Sequence, residues 1–238
     1  MTAARRRTRF PWWRYLAGAG ALVFSWLSYE YVTLPDVRAI RTTNPGPTAF
    51  MTLRANESHR AGKPFRPRQV WVPFERIAPD LRRAVLVAED SAFWQHDGVD
   101  YRQLRESLED GLERGELTRG ASTITQQLAK NLYLSPSRNP VRKLRELVIT
   151  RHLERVLSKR RILELYLNVA EWGDGIFGAE AAAETYFAKP AEDLDADEAA
   201  LLAGCLINPR RYSPKNPPRR LLNRQRMILE RLHTVSAG

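Results

Sequence analysis

A short segment with the sequence AVLVAEDSAFWQHDGVD (residues 84–100) contains the side chains best suited to acid–base catalysis. An apolar run leads into Glu89 and Asp90, and Phe93 and Trp94 follow as an apolar wall. A carboxylate beside such a wall has a raised pKa, because desolvation disfavours its charged form. It therefore suits a general acid or base that works near neutral pH. The alternative is that Glu89 and Asp90 only end a helix at the surface, where carboxylates oppose the helix dipole.

A second segment, RGASTITQQLAKN (residues 119–131), combines hydroxyl, amide and ammonium groups. Ser122 supplies a hydroxyl, Gln126 and Gln127 supply amides, and Lys130 supplies a positive charge. Because Lys130 lies four residues after Gln126 and three after Gln127, the three side chains are expected on one edge of a helix. Such an edge suits a sugar that carries a phosphate. An ordinary capped helix with polar exposure is the alternative.

A third segment, RNPVRKLRE (residues 138–146), places cations around the start of a helix. The basic side chains include Arg138, Arg142 and Lys143, and Glu146 follows them. Cations in a first turn oppose the helix dipole, so helix stability does not explain them. A bound phosphate would explain them, because it gains from the side chains and from the free backbone N–H groups of the turn.

The composition restricts the class of protein, the kind of site and the kind of partner. The 238-residue chain carries a net charge of +11, and 43% of its residues are hydrophobic, which is typical of a globular protein. Its single cysteine, Cys205, excludes an intramolecular disulfide framework, and its four histidines show no metal-ligand spacing, so no metal site is predicted. The positive charge favours an anionic partner such as nucleic acid, phospholipid headgroups or a phosphorylated substrate. Heavy use of arginine can also reflect genome composition alone.

The N-terminus predicts a membrane anchor. Residues 15–29 (YLAGAGALVFSWLSY) contain no charge, and residues 12–34 are long enough to span a ~30 Å hydrocarbon core at ~1.5 Å per residue. Arginines precede this run, so the positive-inside rule keeps a basic tail of residues 1–11 in the cytoplasm and sends the rest of the chain across the membrane. A cleaved signal peptide and a buried helix are the alternatives.

Helical periodicity dominates the remainder, so the predicted fold class is mainly α. Residues 35–68 are predicted to be a connector without a long helix, because prolines are frequent there. Residues 69–214 are predicted to form the main domain and residues 215–238 a basic C-terminal helix and tail. The best strand candidate is Gln69–Phe74. Helices are predicted from Asp80, over Leu104–Leu117 and Ile124–Leu134, from Pro140, and over Lys159–Val169, Ala179–Tyr186 and Ala196–Leu206.

Five segments together resemble one known family. They are EDSAFWQHDG, GASTITQQLAKN, RKLRE, KRRILELYLN and GDGIFGAEAAAETYF, and they occur in the order of that family at compact spacing. The family is that of the peptidoglycan glycosyltransferases (glycosyltransferase family 51, the transglycosylase domain of penicillin-binding proteins). NPGPTAFM, WVPFERI and AEWGDGIFGAE further resemble its monofunctional members, so the likeness covers roughly residues 43–214. Only 24 residues follow Pro214, so no transpeptidase domain is expected.

The resemblance implies a fold and a reaction. The fold is lysozyme-like, with a larger lobe and a smaller, membrane-facing one. The reaction is polymerisation of lipid II into peptidoglycan strands by inverting glycosyl transfer, with release of undecaprenyl pyrophosphate. Glu89 matches the catalytic base, which takes the proton of the acceptor 4-hydroxyl. Glu146 matches the second catalytic glutamate, near the donor pyrophosphate.

The resemblance also assigns the substrate-binding residues. The set assigned to the leaving pyrophosphate is Lys130, Arg138, Arg142 and Lys143. Fixed cations at that place lower the barrier, because negative charge develops on the leaving group. The set assigned to the orientation of sugar and phosphate is Ser122, Gln126 and Gln127. The sequence requires no cofactor, although the family implies that a divalent cation, Mg²⁺ or Mn²⁺, assists at the pyrophosphate.

The predicted location is the bacterial inner membrane, crossed once by the anchor. The predicted partners are lipid II, the lipid-linked growing chain, the membrane, and other proteins of cell-wall synthesis or division. A glycan-cleaving enzyme is a rival interpretation, but it would need a general acid near a glycosidic bond and no cationic pyrophosphate site. A catalytically idle scaffold is another, but it would not need both glutamates. Nucleic acid is excluded as a partner by the predicted anchor and export.

Overall fold

The computed structural model describes residues 12–114, 122–135 and 139–236 of the chain. Contacts divide the chain into two units, Met1–Asp36 and Val37–Gly238. The described part of the first unit contains the helix α1 (Trp12–Val32), and all other elements belong to the second unit.

Helix α1 has 21 residues, as the uncharged run predicts. No helix in the described ranges combines the length and the apolar character that crossing a membrane requires. Arg14, Gly18, Gly20 and Glu30 all lie in α1 and lower its mean hydropathy. The predicted transmembrane span at residues 12–34 is therefore found as a helix but not as a span. The predicted basic tail, residues 1–11, lies outside the described residues.

The second unit is mainly helical, which confirms the predicted class at this level. Its helices are α2 (Ala49–Arg60), α3 (Pro79–Glu89), α4 (Tyr101–Arg114), α5 (Ile124–Tyr133), α6 (Pro140–Val156), α7 (Lys159–Val169), α8 (Ala179–Phe187), α9 (Ala196–Cys205) and α10 (Arg219–Ser236). Short 3-10 turns cover Ala39–Arg41, Phe74–Arg76, Phe93–Gln95 and Ala191–Asp193. The division of this unit into a larger and a smaller lobe stays a prediction.

A three-stranded sheet accompanies these helices. Its strands are β1 (Arg68–Gln69), β2 (Glu171–Gly173) and β3 (Ile176–Phe177), in the order β1-β3-β2. β1 is parallel to β3, and β2 is antiparallel to it. The predicted strand Gln69–Phe74 is wrong beyond its first residue. The Val72 N–H donates to Asn168 Oδ1, and Asn168 Nδ2 donates to the Val72 carbonyl, at 3.0 Å each. The backbone of Val72 therefore pairs with a side-chain amide instead of a neighbouring strand.

The predicted connector contains a helix that the proline count did not predict. Helix α2 occupies the stretch between Pro47 and Pro64, which has no proline. Thr48 caps it by accepting a hydrogen bond from the Met51 N–H at 3.1 Å. α2 packs against α5 and sends Arg54 to Glu171, with a Nη2–Oε2 distance of 2.7 Å. Proline density excludes a helix only where the prolines fall, and not in the gaps between them.

Two groups of helices form the core around the site. α5 packs against α6 and α7, whereas α3 packs against α9 and α10. Leu128 of α5 and Leu81 of α3 are fully buried, and burial of one such side chain contributes ~1.5–3 kcal/mol. The two groups meet at the C-terminal end of α3, where Glu89 contacts side chains from α5 and α10.

Helix α10 lies within residues 215–238, predicted as a basic C-terminal helix and tail, and it packs into this core. Its Leu221 and Ile228 are fully buried, and it contacts both α9 and α3. The approach to α9 is close, because a Cβ added to Gly204 would lie 2.8 Å from the Leu221 side chain. The C-terminal helix therefore forms part of the same unit as α3 and brings its own side chains to the end of that helix.

Candidate active site

Glu89 is the last residue of α3, and its side chain is only 12% exposed. Its Oε2 accepts a hydrogen bond from Gln127 Nε2 at 3.0 Å, and its Oε1 accepts one from Arg224 Nη2 at 3.0 Å. Burial raises the pKa of Glu89 above its usual value, and the contacts with Gln127 and Arg224 and the charge of Lys130 offset only part of this effect. The alternative of a surface carboxylate at a helix end is therefore wrong for Glu89.

Gln127 is oriented from behind by Tyr166 of α7. The buried Tyr166 hydroxyl donates to Gln127 Oε1 at 3.0 Å, so the amide nitrogen of Gln127 is directed at Glu89. Burial raises the pKa of Tyr166 well above its usual value, and the nearby carboxylates of Glu89 and Asp90 add to this. The phenol thus remains a neutral donor at physiological pH. The sequence assigned Gln127 to the orientation of the substrate. In the structure its side chain contacts Glu89 and positions this carboxylate.

Asp90 has a different environment from its neighbour Glu89. It is 2% exposed, and its Oδ2 accepts the backbone N–H of Ile124, the first residue of α5, at 3.0 Å. Its Oδ1 lies 2.9 Å from His96 Nε2. Both oxygens are therefore engaged within the protein. Asp90 ties the segment 84–100 to the start of α5, where a carboxylate is favoured by the helix dipole.

The first turn of α5 is closed by a capping box between Thr123 and Gln126. Thr123 Oγ1 accepts from the Gln126 N–H at 3.2 Å, and Gln126 Oε1 accepts from the Thr123 N–H at 3.0 Å. Gln126 is only 4% exposed. Gln126 therefore does not share an exposed helix edge with Gln127 and Lys130 as expected, because its side chain is directed inward to the cap. Ser122, half-buried, immediately precedes this turn.

A glycine permits the close contact between α5 and the preceding loop. Thr123 Oγ1 donates to the Gly98 carbonyl at 2.7 Å. Gly98 has a φ of +85°, and an added Cβ would lie 2.7 Å from Thr150 Cγ2 and 2.9 Å from Glu154 Cγ. Any larger residue at position 98 would push the loop away from α6 and disturb the placement of Asp90 and Glu89.

The second glutamate, Glu146, lies on α6 and is only 3% exposed. Arg142 Nη1 donates to its Oε2 at 2.8 Å, and Lys143 Nζ donates to its Oε1. The two cations come from the preceding turn of the same helix, which begins at Pro140 with Asn139 as its cap, as predicted. Glu146 thus offsets the unfavourable placement of cations near the start of α6.

Lys130 lies in α5, within electrostatic range of both glutamates. Burial lowers the pKa of its ammonium, while Glu146 and Glu89 favour the charged form and Arg142 and Lys143 oppose it. No residue in the ranges 12–114, 122–135 and 139–236 forms a hydrogen bond or an ion pair with this ammonium. A partly desolvated cation without such a partner is well suited to bind an anionic group of a ligand.

The structure brings most of the predicted site residues together on α3, α5 and α6. Arg138 lies outside the described residues, so its assignment stays a prediction. Two residues near Glu89 were missed from the sequence, namely Tyr166 and Arg224. Tyr166 lies in the segment KRRILELYLN, which is part of the family resemblance, and that segment was the available signal. Arg224 had only the signal of a basic amphipathic helix, which does not point to a carboxylate 135 residues away.

The described residues do not form a resident metal site. No group of three or more histidine, cysteine, aspartate or glutamate side chains in the described ranges is placed to hold a metal ion. Both glutamates of the site already accept hydrogen bonds from arginine or lysine. This donor set fits the neutralisation of a phosphate by protein cations, and it does not fit a metal held by protein ligands.

Comparison with known proteins identifies the family. A model of the family described as Transglycosylase matches residues 57–233. The chain is 49% identical to a biosynthetic peptidoglycan transglycosylase of Azoarcus sp. (strain BH72), over 87% of this chain and 90% of that protein. It is 47% identical to one from Nitrosomonas eutropha, over 88% of this chain and 86% of the relative. One from Bordetella avium is 42% identical over 99% of both chains.

The matched range includes α3, α5, α6, α7 and most of α10, which are the elements that surround Glu89 and Glu146. The resemblance predicted from the five segments is thereby confirmed, and with it the predicted enzyme class, a peptidoglycan glycosyltransferase of cell-wall synthesis. The chain belongs to the transglycosylase family and groups with its biosynthetic peptidoglycan members.

Proposed function

We propose that this chain polymerises lipid II into the glycan strands of peptidoglycan, with Glu89 as the general base. The observation that carries the proposal is the pairing of two groups in one site. A buried carboxylate, Glu89, is held by two donors, and an ammonium without an ion-pair partner among the described residues, Lys130, lies near it. A proton acceptor beside an anion-binding cation is what glycosyl transfer with a pyrophosphate leaving group requires.

In the proposed step, Glu89 removes the proton from the 4-hydroxyl of the acceptor lipid II. The oxygen attacks the anomeric carbon of the lipid-linked growing chain from the face opposite the pyrophosphate. A new glycosidic bond forms, the bond to pyrophosphate breaks, and undecaprenyl pyrophosphate leaves with inversion at that carbon. The proton ends on Glu89 and the negative charge on the leaving group. The raised pKa of Glu89 favours this transfer, because it brings the carboxylate closer to the pH at which the enzyme works.

The cations of α5 and α6 stabilise the leaving group in this proposal. In this proposal Lys130 contacts the pyrophosphate directly. Arg142 and Lys143 are within electrostatic range of Lys130 and are held in place by Glu146. Because Glu146 is buried and shared by both cations, its main effect is to fix their positions. Arg138 is proposed to join this group.

The polar residues of α5 serve the site in different ways. Ser122 is proposed to orient the sugar and phosphate, as the family resemblance implies. Gln126 supports the first turn of α5, and Gln127 positions Glu89, so both act mainly through the protein. A divalent cation would supply additional charge neutralisation at the pyrophosphate. Because the described residues do not form a ligand set for such a cation, no step is assigned to it.

Peptidoglycan synthesis places the protein in the cell envelope. We further propose that α1 carries the chain across the cytoplasmic membrane, with the N-terminus in the cytoplasm and the second unit on the outer side. The uncharged residues 15–29 and the exposed aromatic residues Trp13, Tyr15, Tyr29 and Tyr31 support this proposal. The mean hydropathy of α1 is lower than that of a typical membrane span. Other proteins of cell-wall synthesis or division remain proposed partners.

The proposed reaction is tested with purified full-length protein, labelled lipid II and a gel that resolves glycan polymers. The wild type is expected to form polymer and to release undecaprenyl pyrophosphate, whereas Glu89→Gln is expected to lose about 10²–10⁴-fold in rate with its fold unchanged. Unchanged polymer yield in Glu89→Gln would remove Glu89 from its role. Absence of polymer with the folded wild type would favour the scaffold interpretation, and cleavage of preformed strands would favour the glycan-cleaving enzyme.

The proposed attachment is tested by extraction of bacterial membranes at alkaline pH. The full chain is expected to stay with the lipid, and a variant without residues 1–34 is expected in the supernatant. Labelling of single cysteines placed at positions 5 and 236, in a variant with Cys205 replaced by alanine, distinguishes a span from attachment at one surface. Protection of position 5 and labelling of position 236 by an impermeant reagent in intact spheroplasts would support a span. Labelling of neither position would place both ends on the cytoplasmic side.

A further inference from the structure

The guanidinium of Arg224 links the C-terminal helix to the catalytic carboxylate. Its Nη2 donates to Glu89 Oε1 at 3.0 Å and also to the Ala88 carbonyl at 3.0 Å. The side chain of Arg224 is 20% exposed, so the contact is largely shielded from water. One nitrogen therefore contacts both the side chain of the base and the backbone that carries it.

We propose that Arg224 is a positioning residue of the glycosyl transfer: it holds Oε1 of Glu89 from α10 and keeps this carboxylate ionised and correctly rotated for the acceptor hydroxyl. The proposal rests on the proposed function, in which Glu89 is the general base. It assigns a role in the reaction to α10, which the sequence predicts only as a basic C-terminal helix.

The packing of α10 makes this contact rigid. Leu221 precedes Arg224 by three residues and Ile228 follows it by four, so the three side chains share one face of the helix. Both apolar residues are fully buried. On α9, a Cβ added to Gly204 would lie 2.8 Å from Leu221 and 3.8 Å from the Cγ of Arg224. The stem of Arg224 is thus packed against the backbone of α9, and its guanidinium has little freedom to move away from Glu89.

The hydrogen bonding of Arg224 indicates that its position is specific. Its Nε is buried and has no partner within the described residues. An unsatisfied buried donor costs free energy, which a surface position would avoid. The contact with Ala88 and Glu89 offsets this cost, because a cation is favoured at the C-terminal end of a helix and beside a carboxylate.

The charged groups around Glu89 have separate effects. From α10, Arg224 forms its ion pair, and from α5, Lys130 acts on it without contact. From α7, Tyr166 contributes a neutral phenol, through Gln127. The adjacent Asp90 is engaged by His96 and the start of α5. Among these groups, Arg224 alone contacts Glu89 with a charge, so its loss should change both the ionisation and the rotation of the carboxylate.

The test compares the pH dependence of kcat/KM for lipid II polymerisation by full-length Arg224→Gln, Arg224→Lys and wild type. The acidic limb reports ionisation of the free base, and an opposite charge in contact lowers the pKa of a carboxylate by about 1–3 units. Arg224→Gln is therefore expected to move this limb upward by about one pH unit or more. Arg224→Lys keeps the charge without the fixed fork, so it should restore most of the limb but not the full rate at high pH.

The matched control is Arg226→Gln, which removes the same charge from the same helix. Arg226 is exposed and contacts Asn223, so its loss should leave the pH profile and the rate unchanged. An acidic limb in Arg224→Gln that coincides with the wild type would overturn the proposal. An equal displacement in both variants would also overturn it, because the effect would then come from the total charge of α10.

A direct titration separates positioning from loss of structure. Carbon-13 NMR of the protein labelled at glutamate carboxyl groups reports each pKa, and the Glu89 signal is assigned by its absence in Glu89→Gln. A higher pKa for this signal in folded Arg224→Gln supports the proposal, and an unchanged pKa contradicts it. If Glu89→Gln polymerises normally, the proposed base fails. If Glu89→Gln is inactive while Arg224→Gln resembles wild type in both profile and titration, only the role of Arg224 fails.

Discussion

The two buried glutamates of the site, Glu89 and Glu146, are held in opposite ways. Glu146 is held by Arg142 and Lys143, which lie in the preceding turn of its own helix. Glu89 is held by Gln127 and Arg224, which come from other helices and lie 38 and 135 residues away. A cluster within one helix survives any rearrangement that preserves the helix. A cluster assembled from three helices depends on their packing, so the Glu89 site should be the more sensitive to distant changes.

After the loss expected for Glu89→Gln, the largest effect is expected at Lys130, whose ammonium is within electrostatic range of both Glu89 and Glu146. Lys130→Ala should lower kcat for lipid II polymerisation by about 10²–10³-fold, because it removes a fixed charge from the developing anion. KM should change less. The measurement is steady-state polymerisation with labelled lipid II. Lys189→Ala is the control, because Lys189 pairs with Glu198 of α9 and not with a residue of the site. Full activity of Lys130→Ala would contradict the proposed pyrophosphate site.

A smaller loss of activity is expected when the cluster of Glu146, Arg142 and Lys143 on α6 is disturbed. Glu146→Gln should lower turnover by about 10–100-fold, which corresponds to ~1.4–2.7 kcal/mol at the transition state. The reason is that Arg142 and Lys143 lose the carboxylate that fixes them. Circular dichroism should show an intact fold. Glu184→Gln, which removes a surface pairing with Arg68, provides the comparison. Equal activity of Glu146→Gln and wild type would show that the cations do not need their partner.

The cluster of Glu89, Gln127 and Arg224 can also be weakened through Tyr166, which contacts Gln127 and not Glu89 itself. Tyr166→Phe deletes the hydroxyl that orients Gln127, and the loss of one such buried hydrogen bond costs about 1 kcal/mol. A decrease of about fivefold in kcat/KM, with little change in KM, is expected. Tyr186→Phe is the matched control, since its hydroxyl makes only a 3.5 Å contact with the Trp172 carbonyl. Equal losses in both variants would point to stability alone.

The smallest effect concerns stability. Because burial raises the folded-state pKa of Glu89 above its unfolded value, folding favours the protonated carboxyl. This contribution is complete below the unfolded pKa, near 4.5, and is lost as the pH rises through the folded-state pKa. The unfolding free energy of Glu89→Gln relative to that of wild type should therefore rise between pH 4 and pH 7.

Thermal unfolding at both pH values measures this difference. Glu192→Gln is the control with the opposite sign, because the hydrogen bond from Arg76 lowers the pKa of Glu192. Its stability relative to wild type should not rise between pH 4 and pH 7. The stability of Glu89→Gln relative to wild type could instead fall between pH 4 and pH 7. That result would show that the contacts of Glu89 with Arg224 and Gln127 outweigh the cost of its burial.

Local patterns predicted most elements of the second unit. The cap at Asn139, the helix from Pro140, and the helix Lys159–Val169 appear as expected, because capping and helical spacing act over a few residues. The predicted strand Gln69–Phe74 was wrong beyond Gln69, and the prediction of no long helix in residues 35–68 did not anticipate the 12-residue helix α2. In both cases a distant partner prevailed: Asn168 took the backbone of Val72, and α5 gave α2 a surface to pack against.

The site shows the same division. Residue types and spacing, with the family resemblance, pointed to Glu89, Glu146 and the cations of α6, since all of these lie in short continuous segments. The inward turn of Gln126, the orientation of Gln127 by Tyr166 and the contact of Arg224 with Glu89 were not predictable from these segments. These contacts depend on how helices distant in the chain pack together, and hydrophobic burial selects that packing with no regard to sequence separation.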